Sequence, residues 1–465
     1  MIDFYYANFK KTYKSKIESL IKDIERLFLL ESIKIRKANC NILDEYYGVG
    51  LPSNLWIKVQ DVYFTLHIEK DKISPTLKKY NIKTSPNQVG GIKCIDTFAG
   101  CGGLSLGLKQ AGFKPILVNE IEPKFLETYY FNNELGIDSY FCDDIKKLVD
   151  GPELDDQKFA DVDLVVGGPP CQGFSMANRQ RILDDPRNEL YKQFLKLLER
   201  TRPKFFVMEN VKGMMKKSDE IIENFGSMLG ADYSIRMILL NAKNYGVPQN
   251  RERVFVIGTR LQQVDMDSLI KGIISHRYTS RQFVLKDAIH GLPEIFPKTD
   301  KNRSGQENNK IGFKFTYSDN KKDNKYMDFI GGKCVYLTNH TNRYNNERDV
   351  EIFRRLPQGA NSLDPSIADI MPYSSRNHMF KDKYFKLKEV EVCKTITSHM
   401  KFDCNMYIHP TQPRGLSPRE AARVQTFPDD YIFMGANNLW YAQIGNAVPV
   451  KLAQAIGEEL MKYLV

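Results

Sequence analysis

Between residues 92 and 260 two hydrophobic patterns take turns along the chain. Short apolar runs ("IKCIDTF", "KPILVNE", "SYFCDDI", "DLVVGG", "KFFVMEN", "YSIRMILLNA", "RVFVIGTR") are separated by stretches with helical spacing, among them "GLSLGLKQAGF", "PKFLETYYFNNE", "ELYKQFLKLLER" and "EIIENFGSML". Strands alternating with helices predict an α/β fold, a doubly wound sheet covered on both faces. Ligands of such sheets bind beyond the carboxyl ends of the strands, and Glu120, Cys171 and Glu209 all fall at or just past predicted strand ends.

The alternation stops on either side of this stretch. Residues 261–390 are rich in Asn, Lys, Ser and Asp, with short apolar islands, and read as a loop-rich domain inserted into the sheet unit. Beyond it, Ser417-Pro418 places an N-cap and a first-turn proline at the head of "SPREAARVQTF", and a last helix is predicted at about 448–464. Before residue 91, Ile17, Leu20, Ile21, Ile24, Leu27 and Phe28 recur at helical spacing and predict one amphipathic helix over 10–36. Phe64, Leu66 and Ile68 alternate with polar residues as in a half-buried strand, and "KTSPNQVGG" reads as a linker. Four segments follow: an extension at 1–90, the sheet unit at 91–260, the insert at 261–400, and 401–465 returning to complete the sheet unit.

Charge adds a direction to this picture. Residues 1–90 hold 15 basic and 10 acidic residues and residues 261–390 hold 22 and 16, which accounts for the whole formal excess of +10. A basic surplus confined to the flanks suits a polyanionic partner, although ordinary surface lysines would give the same count. With 42% apolar and 27% charged residues, no apolar run of 18 and no signal or lipidation motif, the chain reads as cytoplasmic, with no membrane partner. Eight cysteines without a C-x-x-C pair read as reduced thiols, not disulfides or a zinc site, and no metal is expected.

Candidate chemistry sits where strands end. "DTFAGCGGLSLGL" (96–108) carries glycines that let backbone approach a ligand at a helix start, and Glu120 closes the next strand, where an acid can take a ribose hydroxyl pair. The spacing is not G-x-G-x-x-G, because Ser105 holds its last position. "DLVVGGPPCQGFS" (163–175) ends a strand on two flexible and two rigid residues before Cys171, a setting that suits an exposed nucleophilic thiol; a small buried cysteine is the plainer alternative. Glu209 in "FFVMENVKGM" is either a general acid or a helix-start acid. In "VPQNRERVFVIG", Gln249, Arg251 and Arg253 are spaced two apart and are predicted to share a face, either to bind a phosphate or an exocyclic oxygen or simply to neutralise the carboxyl ends.

In this linear order, "DTFAGCGGLSLGL", "NEIEP", "DDI", "GGPPCQGFS", "MENVKG", "QNRERVFVIG", "RGLSPREAARVQTFP" and "QIGNAVP" resemble the motifs of the C5-cytosine DNA methyltransferases of bacterial restriction-modification systems. The resemblance covers about 92–260 and 411–463; the family's variable target-recognition domain occupies the position of 261–390, and "KTITSHM" (394–400) resembles an element near that domain's end. It implies a Rossmann-like sheet, S-adenosyl-L-methionine as cofactor and double-stranded DNA as substrate. Phe98, Ala99, Gly100, Gly103, Leu104, Glu120, Ile121, Asp144, Ile145, Pro169, Leu190, Asn446 and Val448 would hold the cofactor, with Glu120 on the ribose, Asp144 and Ile145 at the adenine, and Asn446 and Val448 at the methionine end. Cys171 would be the nucleophile, with Glu209 and Arg253, and Arg251 beside them, gripping a flipped-out cytosine. A monomer is expected, with a restriction endonuclease acting on the same site but not touching this chain.

Three other readings stand beside it. A dinucleotide oxidoreductase shares the sheet but has no need of the Pro-Pro-Cys strand end. The tRNA-directed branch resembles these enzymes and uses similar chemistry, but its motif carries Pro-Pro-Cys-Gln-Pro-Phe-Thr, whereas this chain has Gly173 and Ser175 at the differing positions. Residues 1–90 could add a DNA-binding regulatory or dimerising module, although they show no clear helix-turn-helix.

Overall fold

The computed structural model describes residues 56–59, 62–65 and 91–465, apart from 134, 136–138, 153, 155–158, 160–161, 171–187, 299–311, 318–323, 332–335 and 373–382. It divides into two units, 1–91 with 130–140, and 92–129 with 141–465. In the first unit β1 (Trp56–Val59) pairs antiparallel with β2 (Val62–Thr65), Trp56 opposite Thr65 and Val59 opposite Val62. Phe64 of the predicted strand lies in β2; Leu66, Ile68 and the predicted helix at 10–36 lie outside the described residues.

All seven strands predicted between 92 and 260 form one sheet. They are β3 (Ile92–Thr97), β4 (Phe113–Asn119), β5 (Tyr140–Phe141), β6 (Leu164–Gly167), β7 (Phe205–Val211), β8 (Ser234–Asn241) and, after the short β9 (Gln249–Asn250), β10 (Glu252–Thr259), in the order β5-β4-β3-β6-β7-β10-β8. β4, β3, β6 and β7 run parallel, whereas β10 lies antiparallel between β7 and β8. Only residues 242–251 join β8 to β10, too few for the crossover of a dozen or more residues that a parallel return needs.

The strands read as unbroken apolar runs because both faces are covered. Successive side chains divide between two cores with period two. Ile95, Val165, Phe206, Met208 and Val256 face α3 (Ile145–Asp150), α4 (Glu189–Thr201) and α5 (Ser218–Leu229). Cys94, Leu164, Val166, Phe205, Val207, Phe255 and Ile257 face the other way. There they meet α1 (Gly103–Gln110), α6 (Met266–Ser275) and, from the far end of the chain, α12 (Val450–Met461). The helix α2 (Pro123–Phe131) follows β4. Because α6 packs in this second core, the segment that opens at 261 begins as a cover for the sheet.

The rest of the insert is mixed rather than loop-rich throughout. It holds α7 (Leu285–Ile289), the antiparallel pair β11 (Gly312–Tyr317) and β12 (Tyr336–Thr341), α8 (Lys325–Ile330) and α9 (Glu347–Arg355). It ends on β13 (Cys393–Lys394), which pairs parallel with β9. A third core joins Phe283, Leu285, Tyr326 and Ile330 of the insert to Leu416, Ala421, Ala422, Phe427, Trp440 and Ile444 of the returning segment. That segment consists of α10 (Pro418–Val424), α11 (Asn437–Asn446) and α12. Ser417 caps α10 as its sequence predicts: Ser417 Oγ accepts from Glu420 N at 3.2 Å, and Glu420 Oε2 accepts from Ser417 N at 2.7 Å.

Candidate active site

A cavity of about 480 Å³ opens at the carboxyl ends of β3, β4, β6 and β7. One side of it is built by the turn from β3 to α1. Phe98 and Gly100 take positive φ values of 53° and 56°, and Gly102 one of 89°, which folds the chain back so that its amides point inward. The Gly100 amide donates to Glu120 Oε2 at 2.8 Å and the Glu122 amide to Glu120 Oε1 at 2.9 Å, so the carboxyl is fixed from both sides. Burial raises the Glu120 carboxyl above its ordinary range, and these two amides work against that rise. Gly103 must lack a side chain, because a Cβ there would stand 2.6 Å from Val448 O and 2.9 Å from Ala447 Cβ. The returning segment thereby reaches the floor of the cavity.

Asn119 Nδ2 donates to Phe141 O at 3.2 Å and Asp143 O at 2.8 Å, holding the chain that leads into α3. Asp144 then caps α3, its Oδ1 accepting from Lys146 N at 2.9 Å. Ile121, 64% exposed, and the partly exposed Phe98 and Leu190 set apolar surface around the polar turn.

Asp96, which sequence reasoning passed over, also lines the cavity. Its Oδ2 accepts from Ser105 Oγ, and Ser105 in turn accepts from Tyr129 OH at 2.6 Å. Asp96 Oδ1 is buried without a hydrogen-bond partner, and burial lifts the carboxyl to about 7. The sequence held a signal for it, an acid inside the apolar strand "IKCIDTF".

The opposite side is built by β7 and β10. Glu209 Oε1 meets Arg253 Nε at 2.9 Å, each side chain 15% exposed. Burial pushes the Glu209 carboxyl up, although Arg253 and Arg251 pull it down. A Cβ on Gly168 would lie 3.1 Å from Glu209 Oε2, so this glycine lets the acid lie against the chain leading toward Cys171. Asn210 Nδ2 donates to Pro169 O at 3.0 Å and ties down the same chain. Pro169 and Pro170 line the cavity; Cys171, Gly173 and Ser175 lie outside the described residues.

Gln249, Arg251 and Arg253 do not act as one face. The chain leaves β9 and enters β10 across Arg251, and of the three only Arg253 joins Glu209. Gln249 and Arg251 are buried, and Arg251 spends its guanidinium on the carbonyls of Ile396 (2.6 Å), Ala447 (3.0 Å) and Gly445 (3.2 Å). Burial, then Arg253, lowers the Arg251 guanidinium to about 9.

The structure thus brings every described candidate to one cavity: Phe98, Ala99, Gly100, Gly103, Leu104, Glu120, Ile121, Asp144, Ile145, Pro169, Leu190, Asn446 and Val448 together with Glu209, Arg251 and Arg253. It adds Asp96, Asn119, Asn210, Thr397, Ser398 and Gln443. Thr397 and Ser398 come from the end of the insert, within "KTITSHM", a segment the sequence singled out without placing it at the cavity. Among the described residues no cluster of His, Cys, Asp and Glu could hold a metal ion, and no helix is long and apolar enough to cross a membrane.

Residues 92–462 match the family model for C-5 cytosine-specific DNA methylase. The type II methyltransferase M.DdeI of Desulfomicrobium norvegicum is 35% identical over 396 residues, covering 79% of this chain and 88% of that one. The type II methyltransferase M1.HphI of Haemophilus parahaemolyticus is 34% identical over 375 residues, covering 79% and 86%. Among solved structures, an E. coli prophage-encoded protein assigned as a DNA modification methyltransferase superposes with a TM-score of 0.58 at 28% identity, over 80% of this chain and 99% of that one.

Proposed function

This chain belongs to the C-5 cytosine-specific DNA methylase family and is a DNA (cytosine-5-)-methyltransferase; from that membership we propose how its residues carry the reaction. The observation that carries the proposal is the single cavity. One side is the glycine turn with Glu120, and the other is Glu209 with Arg253 beside the chain that runs to Cys171.

The first side suits S-adenosyl-L-methionine. A nucleoside with a zwitterionic tail needs a carboxylate for its ribose, apolar walls for its base and polar groups for its tail. Glu120 would take the ribose; Phe98, Ile121, Ile145, Pro169 and Leu190 would flank the adenine, with Asp144 at its edge. Ala99, Gly100, Gly103, Leu104, Asn446 and Val448 would enclose the tail. The unpartnered Asp96 Oδ1 would meet an ammonium group once its carboxyl, lifted to about 7 by burial, is ionised. When bound, the cofactor supplies the electrophilic methyl group that the activated cytosine C5 accepts.

The second side activates the base. A cytosine in a stacked duplex cannot be reached at C5 or C6, so the target is taken out of the double helix, at a cost of a few kcal/mol. The Cys171 thiolate adds to C6, forming the Sγ–C6 bond and passing the C5–C6 electron pair toward C5. Glu209, whose burial favours the protonated form, holds a proton at N3 and so draws electron density into the ring as Sγ adds. Arg253 holds the Glu209 carboxyl through Nε and is itself anchored by Nη1 on Glu252 O at 2.7 Å, so Nη2 is the group it would turn to the base. After the methyl group has been accepted, a base, for which water suffices, takes the C5 proton. The C–H pair re-forms the C5–C6 double bond, Sγ leaves with its bonding pair as thiolate, and the N3 proton returns to Glu209.

The reading extends to biology through the relatives, which are named type II methyltransferases. The chain would act in the cytoplasm as a monomer and methylate a short double-stranded site, shielding it from an endonuclease of the same specificity. Bisulfite sequencing of DNA from a methylation-free host tests this. A short sequence context should be protected when the chain is expressed and unprotected with Cys171→Ala. Protection that survives the substitution would refute the adduct, and no protected DNA context would refute the assignment of substrate.

A further inference from the structure

Between the insert and the returning segment lies a closed ring of buried hydrogen bonds. Ile396 N donates to Gln249 Oε1 at 2.7 Å, and Gln249 Nε2 donates to Gln425 Oε1 at 2.8 Å. Gln425 Nε2 donates to Ala447 O at 3.1 Å and to Ile444 O at 2.8 Å. Arg251 then closes the ring, reaching Ala447 O at 3.0 Å on one side and Ile396 O at 2.6 Å on the other. Gln249, Arg251 and Gln425 are each no more than 1% exposed, so these bonds are not shared with solvent.

The ring joins two pieces of the cavity wall. Directly after Ile396 come Thr397 and Ser398, and beside Ala447 stand Gly445, Asn446 and Val448, all lining the cavity. The two pieces touch at their backbones: a Cβ on Gly445 would come within 2.2 Å of Ser398 N and 2.5 Å of Thr397 O. From Ser398 the chain turns outward through exposed His399, Lys401 and Phe402, with Lys401 Nζ 4.8 Å from the Phe402 ring centre. One piece therefore leads to an exposed lysine and aromatic ring that a nucleic acid could stack on, with Asp403 Oδ2 3.9 Å from His399 Nε2 beside them, while the other lines the cavity where the cofactor would sit.

Resting on the cofactor reading above, we infer that Arg251, with Gln249 and Gln425, is a positioning residue that locks these two wall pieces together and thereby couples cofactor binding to DNA binding. A ligand that orders 445–448 orders 396–398 through the ring, so the second ligand meets a wall already fixed and gives up less conformational freedom. The coupling is reciprocal by linkage. Arg251 suits this task because its planar fork spans carbonyls from both pieces at once, which a lysine ammonium cannot do.

The test uses the full chain, S-adenosylhomocysteine, and a duplex carrying the site mapped by bisulfite sequencing. Duplex affinity of the unaltered protein should rise about tenfold when S-adenosylhomocysteine is saturating. In Arg251→Lys and in Gln249→Met, which removes no charge, the gain should fall below about threefold. Melting curves would identify any variant that has lost its fold, and the other then carries the test. A gain that stays intact in folded variants, even where each ligand alone binds more weakly, overturns the coupling and leaves Arg251 a stabilising residue. An unaltered protein that methylates DNA but shows no gain overturns it as well. An unaltered protein that methylates no DNA defeats the functional reading instead.

Discussion

Asp96 shows how one unfulfilled atom can point to the chemistry of a ligand. Its carboxyl is lifted to about 7 by burial while Ser105 holds only one of its oxygens. If a cation completes the site, cofactor binding needs the ionised form and draws the proton off. Affinity for S-adenosyl-L-methionine should therefore fall as pH drops below about 7, and Asp96→Asn should weaken binding and flatten that pH dependence. Titration calorimetry between pH 6 and 8.5 checks both, and an unchanged profile in the variant would remove Asp96 from the binding site. At this scale the sequence was a partial guide. Types were legible for Glu120, Glu209 and Arg253, because each falls near a strand end: Glu120 directly follows β4 and Arg253 is the second residue of β10, whereas Glu209, expected at a strand end, lies two residues inside the end of β7. The separate fate of Arg251 was not, since period-two reasoning assumes one continuous strand and this chain passes from β9 to β10 at that residue.

Elements were read well where local chemistry marks them and poorly where distant packing decides. Ser417-Pro418 announced α10, and the capping box is present. Nothing local announces that every face of α10 is buried, with Arg419 and Arg423 among its residues. Those charges are tolerated because each is matched. Arg423 clasps Asp429 at 2.8 and 2.5 Å, Arg414 clasps Glu420 at 2.7 and 2.6 Å, and Arg419 donates to the carbonyls of Thr338, Pro428 and Tyr431. Beside them His340 and His409 are held neutral, chiefly by burial, at about 4 and about 3. Folding therefore excludes protons that the unfolded chain accepts below about 6.5, and stability should fall as pH drops from there toward 4. Glu420 and Asp429, kept below the usual carboxylate range by their arginines, add to that loss below about 4.5. Unfolding free energies from urea titrations at pH 7.5 and pH 5 should differ by roughly 1–2 kcal/mol per histidine, and His340→Gln should narrow the gap. Equal free energies would show that the two imidazoles titrate as they do in the unfolded chain.

At the scale of the molecule, the sheet unit is assembled from both ends of residues 92–461. The helix α12 lies on α1 so closely that a Cβ on Gly107 would be 2.3 Å from Val450 O, and one on Gly457 2.8 Å from Ala111 Cβ. Overpacking of this kind costs about 1–3 kcal/mol. Gly107→Ala should lower the melting temperature and also weaken S-adenosyl-L-methionine binding, because α12 carries Val448 with it toward Gly103. Loss of stability with unchanged cofactor affinity would show that the two ends of α12 adjust independently. The sequence, through its resemblance, indicated that 401–465 returns to the sheet unit and that Asn446 and Val448 reach the cofactor site; it did not indicate the close approach of Gly103 to Val448 O and Ala447 Cβ that sets them there. The same arrangement has a consequence for synthesis. The glycine turn emerges from the ribosome more than 300 residues before Asn446 and Val448, which finish its cavity. A nascent or prematurely terminated chain lacking the closing helix has half a pocket, so the capacity to methylate switches on only after translation has passed the last lining residue. Methylation is therefore expected only from chains translated past Val448.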